Sequence, residues 1–269
     1  MDNSTRRKVV IITGASSGIG AAVARRLSRN NVCLTLVARR VEKLEQVASE
    51  VHALGGEALS IQTDVRNRDE IERMLKATLD RWGHVDVLIN NAGVGNDRLL
   101  IRNKPEKIQD KININLLAVI LCAQVVLPAM LRQKSGHIIN VASIAGLIGL
   151  PGSTIYSATK FGVIGFSDAL RRELHGTGIH VSAFCPGFTP SEINPELKAI
   201  ANGKPNAPHP PGLMPVAYVA DQIARLINHP RRRVVIPYSW NILVFIATQF
   251  PGLADSVIRF FIDRENKKK

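Results

Sequence analysis

The sequence predicts an α/β fold in which one parallel, doubly wound sheet is covered by helices on both faces. Two observations carry this prediction. Short apolar runs alternate with longer amphipathic segments along most of the 269 residues, and strands that alternate with helices pair in parallel. A glycine-rich turn also follows the first apolar run, where such sheets bind ligands. We assign residues 1–237 to a single domain and residues 238–269 to a C-terminal amphipathic extension.

Seven short apolar runs are predicted to be the strands. In chain order they are 9–13, 33–37, 58–62, 85–90, 137–142, 180–184 and 233–237. Apolar residues recur at three- and four-residue steps over 41–54 and 69–82, which predicts helices there. Residues 188–215 contain seven prolines, too many for a continuous helix. We expect a loop there, which either covers a substrate or lies on the surface.

The composition restricts what the protein can bind. The net charge is +13, with eight basic and three acidic residues between 231 and 269, so nucleic acid must be considered as a partner. Aromatic residues make up only 5% of the chain and no recognition motif is found, so we expect no nucleic-acid partner.

The cysteines and histidines predict neither disulfides nor a metal site. The three cysteines, Cys33, Cys122 and Cys185, stand at scattered spacings, which fits a reducing, cytoplasmic compartment. No pair of His or Cys has the spacing of metal ligands. We find no stretch of about 20 apolar residues without a charge, so we expect no membrane-spanning helix. The N-terminus runs straight into the first strand, so we expect no signal peptide.

The stretch IITGASSGIG places Gly14, Gly18 and Gly20 between the first strand and a helical pattern. Strand, glycine loop and helix N-terminus together present backbone N–H groups and a partial positive charge to a phosphate. This arrangement predicts a Rossmann-type dinucleotide site. The spacing is neither that of the common dinucleotide fingerprint nor that of a P-loop, so a tight turn that serves only packing is the alternative.

The end of the second strand indicates which dinucleotide binds. An acidic residue here would accept hydrogen bonds from a ribose 2′-hydroxyl, but Arg39 and Arg40 stand in its place. A guanidinium favours a 2′-phosphate. We therefore expect NADP(H), with an exposed basic pair at a helix start as the alternative.

Further motifs follow in order: Asp64–Val65, NNAG at 90–93, Asn115 in NINLL, Ser143 in NVASIAG, YSATK at 156–160 and PG at 186–187. With TGASSGIG at 13–20, this series resembles the short-chain dehydrogenase/reductase family over residues 8–237. The resemblance implies that Ser143, Tyr156, Lys160 and Asn115 are catalytic. Together with the arginine pair, it implies cofactor contacts at Gly14, Ser16, Ser17, Gly18, Ile19, Gly20, Arg39, Arg40, Asp64, Val65, Asn90, Ala92, Gly93, Tyr156, Lys160, Pro186, Gly187 and Thr189.

The chemistry of this set can be argued from the residues themselves. Tyr156 and Lys160 are four residues apart, so they share one face of a helix. A neighbouring ammonium and an oxidised nicotinamide would lower the pKa of the phenol from about 10. Ser143 could donate a hydrogen bond to a substrate carbonyl. The alternatives are a half-buried tyrosine, a surface lysine and a capping serine.

We therefore expect an NADP(H)-dependent oxidoreductase that interconverts a ketone and a secondary alcohol. Leu147, Ile148 and Leu150 follow Ser143 and suggest a pocket for a lipophilic carbonyl, whether 3-oxoacyl, steroid-like or another, unless they pack inward or at a subunit contact. The alternative function is a catalytically silent dinucleotide-binding sensor or scaffold of the same fold.

The tail and the family resemblance raise the question of partners. Apolar residues recur at helical spacing from residue 250, opposite charged residues, and Lys267–Lys269 follow. The segment 250–269 is either a peripheral membrane contact or a helix docked on its own domain or on a second subunit. The resemblance also implies a homodimer or homotetramer, formed through the long helices of 105–133 and 154–176.

Overall fold

The computed structural model describes residues 6–95, 99–190, 213–256 and 259. Within them, seven parallel strands form one sheet in the order β3-β2-β1-β4-β5-β6-β7. The strands are β1 Lys8–Thr13, β2 Val32–Ala38, β3 Glu57–Gln62, β4 Val87–Asn90, β5 Gly136–Val141, β6 Ile179–Pro186 and β7 Arg233–Ile236. Each predicted strand is found within a few residues, and the predicted fold class is confirmed.

Residues 251–256 are helical, and eight further α-helices connect and follow the strands in the described residues. They are α1 Gly18–Leu27, α2 Val41–Ala53, α3 Arg68–Trp82, α4 Pro105–Ile112, α5 Ala118–Gln133, α6 Thr154–Glu173, α7 Val216–Asn228 and α8 Trp240–Gln249. A π-helical turn, Asn113–Leu117, joins α4 to α5. The ends of α3 show typical local causes: the Asn67 side chain accepts from the Asp69 N–H at its start, and Gly83 has a φ of +81° at its end.

The two faces of the sheet bury separate sets of helices. Along β1, Val10 and Ile12 pack into one core cluster with residues of α1, α2 and α7. Ile11 points the other way, into a cluster with residues of α3, α5 and α6. Successive side chains of a strand alternate between faces, and a sheet covered on both sides therefore reads as a continuous apolar run.

One helical stretch was misjudged from the sequence. Pro105–Gln133 is long and apolar enough to cross a membrane, with a mean hydropathy of 2.3 in its most apolar part, and residues 112–131 carry no charge. The prediction that no segment has this character was wrong. Half of that apolar window is buried, and Val126 and Met130 lie in the sheet core, so packing on the sheet accounts for the apolarity of this helix.

The order of the strands places a crevice at one edge of the sheet. β1 pairs with β2 on one side and with β4 on the other, so the chain reverses its direction of winding there, and ligands bind beyond the carboxyl ends of the strands at such a point. Most of the predicted substrate loop, residues 191–212, lies outside the described residues, as do 257–258 and 260–269 of the tail.

Candidate active site

The glycine loop after β1 is shaped by close backbone contacts. Gly14 and Gly18 adopt φ values of +67° and +56°, a region that glycine enters without steric cost. A Cβ on Gly14 would lie 2.8 Å from the Cα of Ala92, and one on Gly20 would lie 2.4 Å from the carbonyl oxygen of Gly14. For Gly20, close packing alone explains the glycine, which is the alternative given above. Gly14 and Gly18 also border the cleft described below.

Hydrogen bonds join this loop to the loop after β4. The Thr13 hydroxyl accepts from the backbone N–H groups of Asn91 and Ala92, both at 3.0 Å. The Asn91 amide donates to the carbonyl oxygens of Thr13 and Gly14 at 3.0 and 3.3 Å. Thr13 and Asn91 were missed by the sequence analysis as site residues, although both belong to the motifs that it quoted.

A cleft of about 340 Å³ lies above the carboxyl ends of β1 to β4. It is lined by Gly14, Ser16, Ser17, Gly18, Ile19, Ala38, Arg39, Arg40, Thr63, Asp64, Val65, Asn91, Ala92, Gly93, Val94, Gly95 and Ile114. The structure therefore brings together most of the predicted cofactor residues. It adds six residues that lie within the quoted motifs or beside them in sequence: Ala38, Thr63, Asn91, Val94, Gly95 and Ile114.

The polar groups of the cleft suit an anionic ligand. Helix α1 points its N-terminus into the cleft, and its first turn carries no carboxylate, so its partial positive charge is not neutralised from within the helix. The Arg40 guanidinium donates to the hydroxyl groups of Ser16 and Ser17 at 3.0 and 2.8 Å. Arg39 is exposed and lines the cleft beside it.

Asp64 contributes a carboxylate to the lining of the cleft. Its hydrogen bonds with Arg66, as short as 2.6 Å, lower the pKa of the carboxyl. The side chain is therefore ionised at neutral pH and can only accept hydrogen bonds.

Asn90 is placed differently from the other predicted cofactor residues. Its buried side chain donates to the Asn140 side-chain oxygen at 2.9 Å and to the Val119 carbonyl at 3.3 Å. It therefore ties β4 to β5 and α5 in the interior, while its neighbour Asn91 lines the cleft.

Ser143, Tyr156 and Lys160 come together beyond the end of β5. Ser143 caps the short helical turn Ile144–Gly146, and its hydroxyl accepts from the Ala145 N–H at 3.2 Å. Tyr156 and Lys160 lie on successive turns of α6, with the ammonium 5.6 Å from the centroid of the phenol ring. A side-chain hydrogen bond links Ser143 and Tyr156.

Burial acts on the two titratable groups in opposite directions. Lys160 is 4% exposed and donates to the Val141 carbonyl at 2.8 Å, and burial lowers the pKa of its ammonium to about 8. Burial raises the pKa of Tyr156, and the hydrogen bond from Ser143 opposes this only in part. The expectation that a neighbouring ammonium makes the phenol acidic is therefore not met by the protein's own groups, because desolvation is the larger effect.

Asn115 sits in the π-helical turn and binds the loop after β4. Its side-chain oxygen accepts from the Val94 N–H at 2.8 Å, and its amide donates to the Val94 carbonyl at 2.9 Å. The amide also lies 3.4 Å from the Thr159 hydroxyl on α6. A Cβ on Gly93 would lie 3.4 Å from the Asn115 oxygen and 3.9 Å from the Lys160 nitrogen, so this glycine marks where the cleft meets the Ser143, Tyr156 and Lys160 group.

The turn after β6 packs against the C-terminal extension. Pro186 ends β6, the Gly187 N–H donates to the Ile236 carbonyl at 2.8 Å, and the Thr189 hydroxyl donates to the Gly187 carbonyl at 3.4 Å. A Cβ on Gly187 would lie 3.2 Å from the Trp240 ring, and the rings of Phe188 and Trp240 meet edge to face at 5.7 Å. Trp240 was missed by the sequence analysis, because nothing in its neighbourhood resembles a site motif.

The apolar residues after Ser143 contribute to packing. Leu147 is buried in a core cluster with Ile144, Val163 and Cys185, and Ile148 packs against the same cluster. The inward-packing alternative therefore describes Leu147, while Leu150 is half-buried. In the described residues, no three His, Cys, Asp or Glu side chains lie close enough to share a metal ion, and the three cysteines are free and buried.

Comparisons with known proteins agree with this geometry. A family model described as short chain dehydrogenase matches residues 8–201. A 3-oxoacyl-[acyl-carrier-protein] reductase of Synechocystis sp. is 43% identical over 193 residues, which are 71% of this chain and 78% of the relative. The ketoacyl reductase HetN of Nostoc sp. is 32% identical over 260 residues, covering 94% of this chain and 89% of the relative.

Solved structures show the same architecture. A variant of actinorhodin polyketide ketoreductase with NADPH superimposes with a TM-score of 0.78 at 32% identity, covering 86% of this chain and 95% of the other. A short chain dehydrogenase/reductase from Burkholderia phymatum in complex with NAD gives a TM-score of 0.82 at 27% identity, with coverage of 92% and 95%.

Proposed function

The chain belongs to the short-chain dehydrogenase/reductase family, and from that premise we propose that it is an NADP(H)-dependent enzyme that interconverts a ketone and a secondary alcohol on a lipophilic substrate. The observation that carries the proposal is the convergence of Ser143, Tyr156 and Lys160 next to the cleft above the carboxyl ends of the strands. A catalytically silent sensor would have no need of a buried lysine beside a half-buried tyrosine, because burying an ammonium is costly.

The residues of the cleft fit a phosphorylated dinucleotide. The N-terminus of α1 and its serines would hold the pyrophosphate, and Asp64 with Val65 would hold the adenosine. Arg39 and Arg40 would hold a 2′-phosphate, since two guanidinium groups stand where NAD-binding sites carry a carboxylate. The preference for NADP(H) rests on this charge, because the similar structures were solved with NADPH and with NAD.

The bound dinucleotide supplies the hydride, and the chain's own residues handle the proton. In the direction of reduction, the Ser143 hydroxyl donates to the carbonyl oxygen, which gains negative charge as the alcohol forms. The Tyr156 hydroxyl then gives its proton to that oxygen. Because burial raises the pKa of Tyr156, the phenol still holds this proton at neutral pH.

Lys160 stabilises the phenolate that remains. With a pKa of about 8, its ammonium is largely protonated at neutral pH, and it stands over the same ring. Asn115, held on Val94 by two hydrogen bonds, keeps the loop of Gly93 in place beside this ammonium. Lys160 would also hold the nicotinamide ribose, and Pro186, Gly187 and Thr189 would border the nicotinamide.

We propose a 3-oxoacyl thioester as the first substrate to test. The support comes from the relatives, which are named as 3-oxoacyl-[acyl-carrier-protein] and ketoacyl reductases. Leu147 packs into the core and does not line a substrate pocket.

We further propose a homodimer or homotetramer in the cytoplasm. Leu117, Leu131 and Phe161, on the two long helices expected at the subunit contact, are each more than 40% exposed. The free, buried cysteines fit a reducing compartment.

The direct test is a turnover assay on the purified chain. NADPH or NADH is mixed with a 3-oxoacyl thioester, a cyclic ketone or no ketone, and loss of the reduced nucleotide is followed together with formation of the alcohol. We expect NADPH to be consumed with the 3-oxoacyl thioester. Consumption of neither nucleotide with any ketone, together with no oxidation of the corresponding alcohols, would overturn the proposed activity.

A further inference from the structure

Helix α8 and the residues beside it expose a large apolar surface. None of the ten residues of α8, all of them described, is buried. The outward side chains, which we call the α8 surface, are between 45% and 68% exposed: Tyr238, Ile242, Leu243, Phe245, Phe250 and Leu253. At roughly 150–250 Å² per large side chain, together they leave about 600 Å² of apolar area in water, interleaved with the exposed polar side chains of Ser239, Asn241, Thr248 and Gln249. Apolar exposure of this size often marks an interaction site.

The side chains on the inner side of α8 pack next to the candidate active site, and they thereby position the α8 surface near it. Trp240 and Val244 pack against the core cluster of Ile144 and Cys185. The Trp240 ring meets Phe188 and abuts Gly187, in the turn that would border the nicotinamide. The α8 surface therefore lies at the carboxyl edge of the sheet, on the same side as the substrate.

We propose that the α8 surface seats on an anionic lipid bilayer, with α8 lying in the plane of the interface. Residues 234–254 contain no charged side chain, so an apolar phase can accept the whole segment without burying a charge. Tyrosine, here Tyr238, is enriched at membrane interfaces, and Phe and Leu, here Phe245, Phe250 and Leu243, are typical of the apolar face of helices that lie in the interface. A ten-residue helix is only about 15 Å long, so it can lie in the interface but not cross it.

Charge points to an anionic rather than a neutral bilayer. The chain carries +13, and residues 231–269, which flank and include the apolar segment, carry eight basic and three acidic side chains. Basic residues near an anionic membrane each add attraction on the order of 1 kcal/mol.

A second copy of the chain is the competing occupant, because a subunit contact would also cover these side chains. The vesicle and light-scattering measurements below distinguish the two occupants. The proposal does not depend on the enzymatic one, because lipid binding requires neither dinucleotide nor turnover.

Sedimentation with vesicles tests the proposal. The full chain is mixed with vesicles of phosphatidylcholine alone, or of phosphatidylcholine with phosphatidylglycerol. We compare it with the double variant Ile242→Ser and Phe245→Ser. The matched control is Ile101→Ser, because Ile101 is 93% exposed and lies outside the α8 surface.

We expect the wild type and Ile101→Ser to sediment with the anionic vesicles, less so at high salt. The double variant should lose roughly tenfold or more in partitioning, with an unchanged melting temperature because both side chains are exposed. A second pair on the same surface, Leu243→Ser with Leu253→Ser, should lose binding in the same way.

Three results would overturn the proposal. The first is that the wild type stays in the supernatant with both kinds of vesicle. The second is that the two double variants bind vesicles as well as the wild type does. Light scattering could also show that the double variants dissociate an oligomer while the wild type ignores vesicles, which would assign the surface to a second copy. Equal binding to neutral and anionic vesicles would contradict the proposed preference for an anionic bilayer.

Discussion

At the scale of single residues, the candidate site depends on what burial does to Tyr156 and Lys160. Burial disfavours the charged form of any side chain, so it holds the proton on the phenol and loosens the proton on the ammonium. The raised pKa of Tyr156 suits reduction, because the phenol keeps its proton until the carbonyl oxygen accepts it. The lowered pKa of Lys160, about 8, still leaves most of the ammonium protonated at neutral pH, where it can balance the phenolate.

The lysine gives a prediction on stability. Its pKa falls from 10.5 to about 8 on folding, so the unfolded chain binds more protons between these pH values and the native state gains stability as pH rises through them. Relative to Lys160→Met, the wild type should gain up to about 3 kcal/mol in unfolding free energy over this range. Urea unfolding of both proteins from pH 7 to pH 10.5 measures this gain. If the difference in unfolding free energy between the two proteins did not change with pH, the lowered pKa of Lys160 would be contradicted.

Arg39 gives a prediction on nucleotide selectivity. Arg39→Ala removes a guanidinium from the cleft, and a charge-assisted contact contributes roughly 1.5–3 kcal/mol. Affinity for NADPH should therefore fall by roughly 10- to 150-fold, while affinity for NADH stays the same. Titration of both nucleotides checks this, with the exposed Arg29→Ala as control. Equal losses for the two nucleotides would show that Arg39 does not contact a 2′-phosphate.

Residue types could be predicted from the sequence more readily than side-chain directions. The glycines, the arginine pair and the Ser143, Tyr156 and Lys160 set were all found by their chemistry. Asn90 and Asn91 show the limit: neighbouring residues at a strand end point to opposite sides, and nothing in NNAG says which one points inward. The structure turns Asn90 into the interior and Asn91 to the cleft.

At the scale of elements, the site depends on how the turn after β5 rests on α6. A Cβ on Gly146 would lie 2.6 Å from the backbone carbonyl carbon and oxygen of Lys160. This contact sets the distance between Ser143 and the two α6 side chains. The glycine is therefore required by close approach, although its φ is not in the left-handed region.

Gly146→Ala tests this contact. The added methyl group must push the turn away from α6, which separates Ser143 from Tyr156, so we expect kcat to fall by about 10- to 100-fold, consistent with the loss of a positioned donor. Gly149→Ala in the same loop is the matched control, because a Cβ there meets nothing within 4 Å. Similar kcat values for the two variants would mean that the Gly146 contact does not position Ser143.

Periodicity predicted ordinary helices well and irregular ones poorly. The predicted helices 41–54 and 69–82 appear as Val41–Ala53 and Arg68–Trp82. The π-helical turn of Asn115 was not foreseen, because its shifted hydrogen bonds leave the apolar pattern almost unchanged. Helix α8 was missed as a packing element, because its nearly uniform apolarity has no period to detect.

At the scale of the whole molecule, the cleft exists only in the folded chain. Its walls come from the loops after β1, β2, β3 and β4, which are far apart in sequence and meet only when the parallel sheet is complete. The alternation of strands and helices in the sequence was enough to predict that these loops come together at one edge of the sheet. The exposed α8 surface could not be predicted in the same way, since exposure depends on which neighbours the fold provides.

Dinucleotide binding should therefore stabilise the whole molecule. A ligand that binds only the folded state at a hundredfold excess over Kd adds about 2.7 kcal/mol, which for a chain of this size raises Tm by several degrees, on the order of 5 °C. Thermal melts with NADPH, NADH and adenosine alone measure the effect, with NADPH expected to give the largest shift. The absence of a shift with any dinucleotide would contradict the cofactor site.

The central claim, that the Tyr156 hydroxyl donates the proton, is tested most directly by Tyr156→Phe, assayed for both NADPH binding and turnover. The variant keeps the ring and loses only the proton donor. We predict that it retains the melting shift with NADPH while kcat for ketone reduction falls by about 10²- to 10⁴-fold, the usual contribution of a general acid. Turnover at the wild-type rate, with NADPH still bound, would contradict the account.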